Sequence, residues 1–122
     1  CHYAFQVYIN NGIMDLMWLQ RSVDTFLGLP YDIAMYGLLL EMLAKGANLI
    51  PGELIGQLGD CHLYNNHLDQ AKLYLSRPNR ALPKLQLSLG LDISMDIPEA
   101  NEIKLINYNP YAAIKAELSV GK

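Results

Sequence analysis

The stretch from Ile33 to Ala44 constrains this chain more than any other feature. It reads Ile33-Ala34-Met35-Tyr36-Gly37-Leu38-Leu39-Leu40-Glu41-Met42-Leu43-Ala44 and is apolar almost all round. A helix of that kind lies inside a fold rather than on its surface. Pro30 suits the first helical turn, where its missing N–H costs nothing, and Gly46 suits the C-cap. The predicted helix therefore runs from about Pro30 to Lys45. Glu41 and Lys45 form an i, i+4 pair on its one wet edge. Gly37 and Glu41 interrupt the stretch, and it falls short of the ~20 apolar residues of a membrane span. No membrane-crossing segment is expected.

Strand signals surround the helix. Ala4 to Asn10 mixes aromatic and β-branched residues with polar ones. Asn10-Asn11-Gly12 is a hairpin turn, because Asn and Gly tolerate positive φ. Ile13 to Gln20 is the returning strand. Its apolar residues do not alternate cleanly, so both faces are expected to be buried. Pro51-Gly52 breaks the chain. Glu53 to Tyr64 then reads as a strand, with Gly56 and Gly59 marking a bulge or a close backbone approach. Asn66 to Ser76 reads as a short amphipathic helix with Leu68, Ala71 and Leu75 on one side. Leu85 to Leu89 and Glu102 to Ile106 alternate like half-buried strands. There is no internal repeat, and the class is α+β in one domain.

With 122 residues the chain fits one domain. Hydrophobic residues make up 52% and charged residues 17%, against about 25% charged in an average domain. That composition excludes intrinsic disorder. It also implies that part of the apolar surface belongs against another subunit or an absent segment. The net charge is −3 and the nine Lys and Arg are scattered. Nucleic-acid binding needs a basic stripe, so no nucleic-acid partner is expected. Two isolated cysteines form no disulfide framework and suit a reducing cytoplasm. No signal peptide is visible. The first residue is Cys1 rather than Met, as expected of a processed product or a fragment.

Three clusters carry chemistry. Cys1-His2 puts a thiol beside an imidazole. It reads either as a small buried thiol next to an ordinary His or as a nucleophile, since thiolate is the strong neutral-pH nucleophile. An N-terminal nucleophile with its own α-amino group as base is a further possibility. Gln20-Arg21-Ser22-Val23-Asp24 lies between strand and helix. Arg and Ser there fit a phosphate, and equally fit a surface salt bridge with an N-cap. Gly59-Asp60-Cys61-His62-Leu63-Tyr64-Asn65-Asn66-His67 gathers two His, an Asp and a Tyr. Cys61 and His62 point to opposite strand faces, so ligands do not converge and no metal is expected. His62 and Tyr64 share one face, and both can hydrogen-bond a sugar hydroxyl.

Taken together, these segments resemble the C-terminal half of thymidylate synthases. The match runs through Cys1-His2, Phe5-Gln6-Val7-Tyr8, Gln20-Arg21-Ser22-Val23-Asp24 and Phe26-Leu27-Gly28-Leu29-Pro30-Tyr31. It continues through Gly59 to His67, Leu82-Pro83-Lys84-Leu85 and Ile114-Lys115-Ala116, in order and spacing nearly end to end. The resemblance implies an α+β fold with a mixed sheet, a long buried helix and a sheet-to-sheet homodimer. The implied reaction is reductive methylation of dUMP to dTMP with 5,10-methylenetetrahydrofolate as co-substrate. Cys1 would add to C6 of the pyrimidine, making C5 a carbon nucleophile toward the folate methylene. The folate would then supply a hydride, leaving as dihydrofolate. Arg21 and Ser22 would hold the phosphate, with Arg21 also near the thiol, and Gln20 would lie with them on the substrate side. Asp24 would serve base and folate. Leu27, Gly28 and Tyr31 match folate-contacting positions, as does Val120 near the C-terminus. His62 and Tyr64 would take the ribose 3′-hydroxyl, and His2 would join a water network near the base.

Departures from the family sharpen the expectations. Asp32 stands where the family usually has Asn. An Asn amide pairs with O4 and N3–H of uracil, whereas cytosine presents the reverse pattern at that edge. A protonated Asp fits cytosine, and an ionised Asp fits a protonated cytosine. Relatives with Asp here are deoxycytidylate hydroxymethylases, so a dCMP hydroxymethylase-like activity is the alternative. A raised pKa would let Asp32 accept uracil. Tyr111-Ala112 replaces a frequent His-Pro, and Gly121-Lys122 follow Val120. The family's N-terminal half, with its Glu, Trp and partner-facing arginines, has no counterpart in this sequence. The chain is therefore expected to begin at the catalytic cysteine of a single family domain and to be no competent catalyst alone. A stand-alone binding domain is the non-catalytic alternative.

Overall fold

The computed structural model describes residues 1–88 and 99–119. Strand β1 (His2–Asn10) and strand β2 (Ile13–Asp24) form an antiparallel hairpin, with Asn10 opposite Ile13. Asn11 (φ 50°) and Gly12 (φ 80°) both take positive φ. That is what a two-residue hairpin turn with the right twist requires, and Asn-Gly is the pair that tolerates it. Helix α1 (Leu29–Gly46) then crosses over to strand β3 (Ile50–His62), which lies parallel to β2. The mixed sheet has the order β1-β2-β3, with β2 central. A 3-10 turn (Asn65–His67) leads into the short helix α2 (Leu68–Leu75). Strands β4 (Lys84–Leu87) and β5 (Ile103–Ile106) form a separate antiparallel pair. Leu89, the expected end of β4, lies outside the described residues. No helix among those residues is long and apolar enough to cross a membrane.

The core lies between α1 and one face of the sheet. Met14, Leu16 and Trp18 of β2 pack on Tyr36, Leu40 and Ala44 of α1. The spacing of those residues, 2 on the strand and 4 on the helix, is what the two periodicities dictate. Trp18 stacks on Tyr36 with ring centroids 5.1 Å apart. Gly56 and Gly59 are close-approach sites. A Cβ at Gly56 would stand 2.5 Å from the Trp18 ring, and one at Gly59 would stand 2.6 Å from the Arg21 carbonyl oxygen. The β2–β3 register slips after Met14, and the Asp15 carboxylate accepts the Glu53 N–H there (2.7 Å).

Several expectations change. The helix is long, but it buries one stripe only, and Ile33 and Met35 are about half exposed. Likewise β2 is buried on the α1 face along Ile13 to Gln20 but only half-buried on the other there, where Val23 alone is fully buried further on. On its opposite face Met17 and Leu19 are half-buried, and Tyr8 and Ile55 beside them are exposed among the described residues. The helix ends through Asn48 (φ 56°) rather than through a left-handed Gly46. Lys45 reaches the Leu87 carbonyl at 2.8 Å, tying α1 to β4, instead of turning to Glu41. Leu68 and Leu75 of α2 face outward, so that helix buries no residue fully.

Candidate active site

The chemistry-bearing residues meet at one end of the sheet, where β1 begins and β2 and β3 finish. His2 pairs with Gln20, and the Arg21 N–H donates to the Cys1 carbonyl at 3.0 Å. The register slips between His2 and Ala4. The Cys1 thiol is free and exposed.

Beside it runs a chain of directed hydrogen bonds. The indole Nε1 of Trp18 donates to Gln20 Oε1 (3.1 Å). An indole N–H can only donate, so the Gln20 amide is fixed with its oxygen toward Trp18. Its Nε2 therefore donates, to Asp32 Oδ2 at 2.9 Å and to the Ser22 carbonyl at 3.1 Å. The other Asp32 oxygen lies 3.3 Å from His2 Nε2. Tyr36 completes the floor, with Trp18 on one side and the His2 ring 5.6 Å away. Two periodicities create the chain. Trp18, Gln20 and Ser22 recur every second residue on the face of β2 that meets α1, and Asp32 occupies the first turn of that helix.

The β2–α1 turn is built around Asp24. Its Oδ1 accepts the N–H groups of Phe26 (3.0 Å) and Leu27 (3.1 Å), which precede the helix and lack strand partners. Gly28 is the N-cap, and its N–H returns to the Asp24 carbonyl (3.0 Å). A Cβ there would lie 3.0 Å from that oxygen and 3.6 Å from Asp32 Oδ2, so the site needs a small residue. Thr25 fastens the turn to β3, donating both its N–H (3.0 Å) and its hydroxyl (2.9 Å) to the His62 carbonyl.

His62 pairs with Asp24 across β2–β3, and Tyr64 follows two residues on, its ring edge-on to His62 at 4.9 Å. His62 Nδ1 lies 3.5 Å from the Asp60 carboxylate. His67 is fully buried. Among the described residues no three His, Cys, Asp or Glu side chains gather as a metal site. Leu27 and Tyr31 line an open cleft of about 670 Å³, whose far wall is the segment from Arg77 to Pro83 and the chain around Tyr111. Arg80 stacks over the Tyr111 ring at 3.7 Å there. A concave wall rich in apolar and aromatic side chains with a few polar groups is the usual lining of a small-molecule site.

Comparison with known sequences places the chain in a family. The family model described as thymidylate synthase matches residues 1–120. The chain belongs to the thymidylate synthase family. It is 43% identical over 120 residues to the thymidylate synthases of Coxiella burnetii strains Dugway 5J108-111 and RSA 331 / Henzerling II. The aligned part covers 98% of this chain and 45% of each relative, so the chain spans about half the length of the curated relatives it matches.

Within the family domain, the residues singled out by sequence divide into groups. Gln20, Asp32 and His2 form one bonded cluster, and Cys1 adjoins it through Arg21. Ser22, Asp24 and His62 share the α1 face of the sheet at its end. Arg21 emerges on the opposite face, because neighbouring strand residues alternate. Gly28 joins the turn, and Leu27 and Tyr31 join the cleft. Val120 lies outside the described residues. Trp18, Tyr36 and Thr25 support the site without having been singled out. The i, i+2 spacing of Trp18 and Gln20 was the one available signal.

Proposed function

We propose that this chain is the nucleophile-bearing part of a thymidylate synthase. The activity is transfer of a one-carbon unit to C5 of dUMP, with 5,10-methylenetetrahydrofolate as co-substrate and dTMP and dihydrofolate as products. The observation that supports it most is the convergence of Cys1, His2, Gln20, Asp32, Asp24 and His62 at one sheet end. Cys1 Sγ adds to C6 and places the electron pair on the C5–C4–O4 system. The C5–H proton leaves after the one-carbon unit is attached, and Sγ departs from C6 as the product forms. The folate supplies both the methylene carbon and the hydride that reduces it to methyl. Gln20 and His2 orient Asp32 toward the base. His62 and Tyr64 hold the ribose, Ser22 holds the phosphate with Arg21 reaching it round the sheet end from the opposite face, and Leu27, Gly28, Tyr31 and Val120 hold the folate. The open sheet face with Tyr8, Met17, Leu19 and Ile55 packs on a second copy, giving a cytoplasmic homodimer. The isolated chain does not turn over, because half of the family domain is needed to close the site.

Asp32 favours a second reading, hydroxymethylation of dCMP. Oδ2 accepts from Gln20, and an ionised carboxylate repels O4 of uracil while accepting from the cytosine amino group. Turnover of dUMP and dCMP is measured with this chain assembled with the rest of a family domain. Thymidylate synthesis predicts dTMP formation, abolished in Cys1→Ser. In Asp32→Asn, preference moves toward dUMP by roughly 100-fold, since sites of paired donors and acceptors discriminate at least that strongly. An unchanged base preference defeats the Asp32 argument, and turnover by Cys1→Ser defeats the nucleophile.

A further inference from the structure

His67 is fully buried, and nothing in the reaction above uses it. Its Nε2 lies 2.7 Å from the Glu117 carbonyl oxygen. A carbonyl only accepts, so Nε2 carries the proton. Nδ1 is buried, and among the described residues it has no hydrogen-bond partner. Burying a polar nitrogen with no partner is costly and uncommon, which calls for an explanation in function or in structure. The ring is wedged between two parts of the candidate site. Phe26, of the Asp24 turn, lies 5.5 Å away, and Tyr64 stands edge-on at 5.9 Å. The segment that His67 holds belongs to no strand or helix. Its remaining ties are weaker or more exposed: Asn66 Nδ2 to the same Glu117 carbonyl (3.4 Å), and Ser119 Oγ to Asn66 Oδ1 (3.0 Å).

We infer that His67 is a positioning residue whose imidazole fixes the C-terminal segment Glu117–Ser119 against the end of β3. The inference rests on the thymidylate synthase reading only for what the segment serves, not for its docking. The Glu117–Leu118 peptide bond gives a direct test, because a Glu-specific endoprotease must capture the same carbonyl that His67 holds. Cleavage of the full chain is followed by mass spectrometry, without nucleotide or folate, so this test and the activity assays fail independently. His67→Phe keeps the ring and removes the donor. Cleavage after Glu117 is expected to rise about 2- to 10-fold, the effect of one hydrogen bond on the population of the open form. Cleavage after Glu41 and Glu53 stays unchanged. His67→Gln, whose Nε2 occupies a similar position, restores the slow rate to within about twofold. Asn66→Ala removes both the 3.4 Å contact and the exposed 3.0 Å Ser119 bond, and is expected to raise cleavage less than His67→Phe does, because exposed bonds exchange with water. Equal rates for wild type and His67→Phe overturn the inference. So does a Gln variant as fast as Phe, or an Asn66→Ala variant that matches it. Should His67→Phe unfold, the ¹⁵N imidazole spectrum of the unsubstituted chain decides: the Nε2–H tautomer supports the inference and the Nδ1–H tautomer overturns it.

Discussion

Gly56→Ala is the perturbation that tests the link between the core and the candidate site most directly. A Cβ at this position would stand 2.5 Å from Trp18 Cη2 and 2.6 Å from Cζ2. The ring has little freedom to retreat. Trp18 is 3% exposed, it stacks on Tyr36 at 5.1 Å, and its Nε1 is held by Gln20. Forcing one extra carbon into such packing costs about 1–3 kcal/mol. Losing the Trp18–Gln20 bond adds about 1 kcal/mol. The sum, about 2–4 kcal/mol, is a large fraction of a typical stability of roughly 5–15 kcal/mol. For a domain of this size it lowers Tm by roughly 6–15 °C. The assay is thermal and urea unfolding followed by tryptophan emission. The chain has one Trp, so the signal reports this site alone. The folded variant should also show shifted emission, because the indole leaves its acceptor. In open space the same substitution would stabilise by about 0.4–1 kcal/mol, by restricting the unfolded chain. An unchanged or raised Tm with unchanged emission would therefore refute the packing argument.

The remaining predictions use the same reasoning. Gly37→Ala is the contrasting helix variant: its Cβ would meet only Leu54 at an ordinary 3.7 Å, so it should stabilise by about 0.5–1 kcal/mol in urea unfolding. Gln20→Leu strips Trp18 of its acceptor and Asp32 of its donor in a buried setting; it should cost about 1–3 kcal/mol and weaken base discrimination in the turnover assay. Asp24→Ala leaves the Phe26 and Leu27 N–H groups without their acceptor, at a cost of about 0.5–2 kcal/mol by denaturation, with Asp24→Asn losing less. Ile55→Asp puts a charge on the open sheet face; the homodimer proposal predicts that sedimentation shifts from dimer to monomer, and a dimer that persists unchanged argues for another interface.

How much of this could be read from residues alone depends on the range of the forces involved. The Asn11-Gly12 turn was legible because its requirement, positive φ at two successive residues, is local. Gly56 and Gly59 were legible as close approaches, but the identity of what approaches, the Trp18 ring and the Arg21 carbonyl, depends on the β2–β3 register. The apolar run in α1 predicted complete burial. The described chain covers only the stripe through Tyr36, Leu40 and Ala44, because three strands offer a single face to the helix. Composition counts apolar residues without saying what covers them, and an open sheet face with Ile55 and Tyr8 is the physical counterpart of that excess. The Trp18–Gln20–Asp32–His2 chain joins β2, α1 and β1, so no local pattern specifies it. Resemblance supplied Gln20, Asp32 and His2 as separate residues, and only the fold shows that Gln20 bonds Asp32 and that His2 stands 3.3 Å from its other oxygen. That bonding changes how Asp32 is to be regarded. A lone Asn-to-Asp replacement would be free to rotate away from an unsuitable base. Here Gln20 Nε2 donates to one carboxylate oxygen at 2.9 Å and His2 Nε2 stands 3.3 Å from the other, so under the proposed function the base must fit Asp32 as it stands. Base selectivity should then respond to Gln20 as well as to Asp32. If it responds to Asp32 alone, the Gln20 bond is only packing.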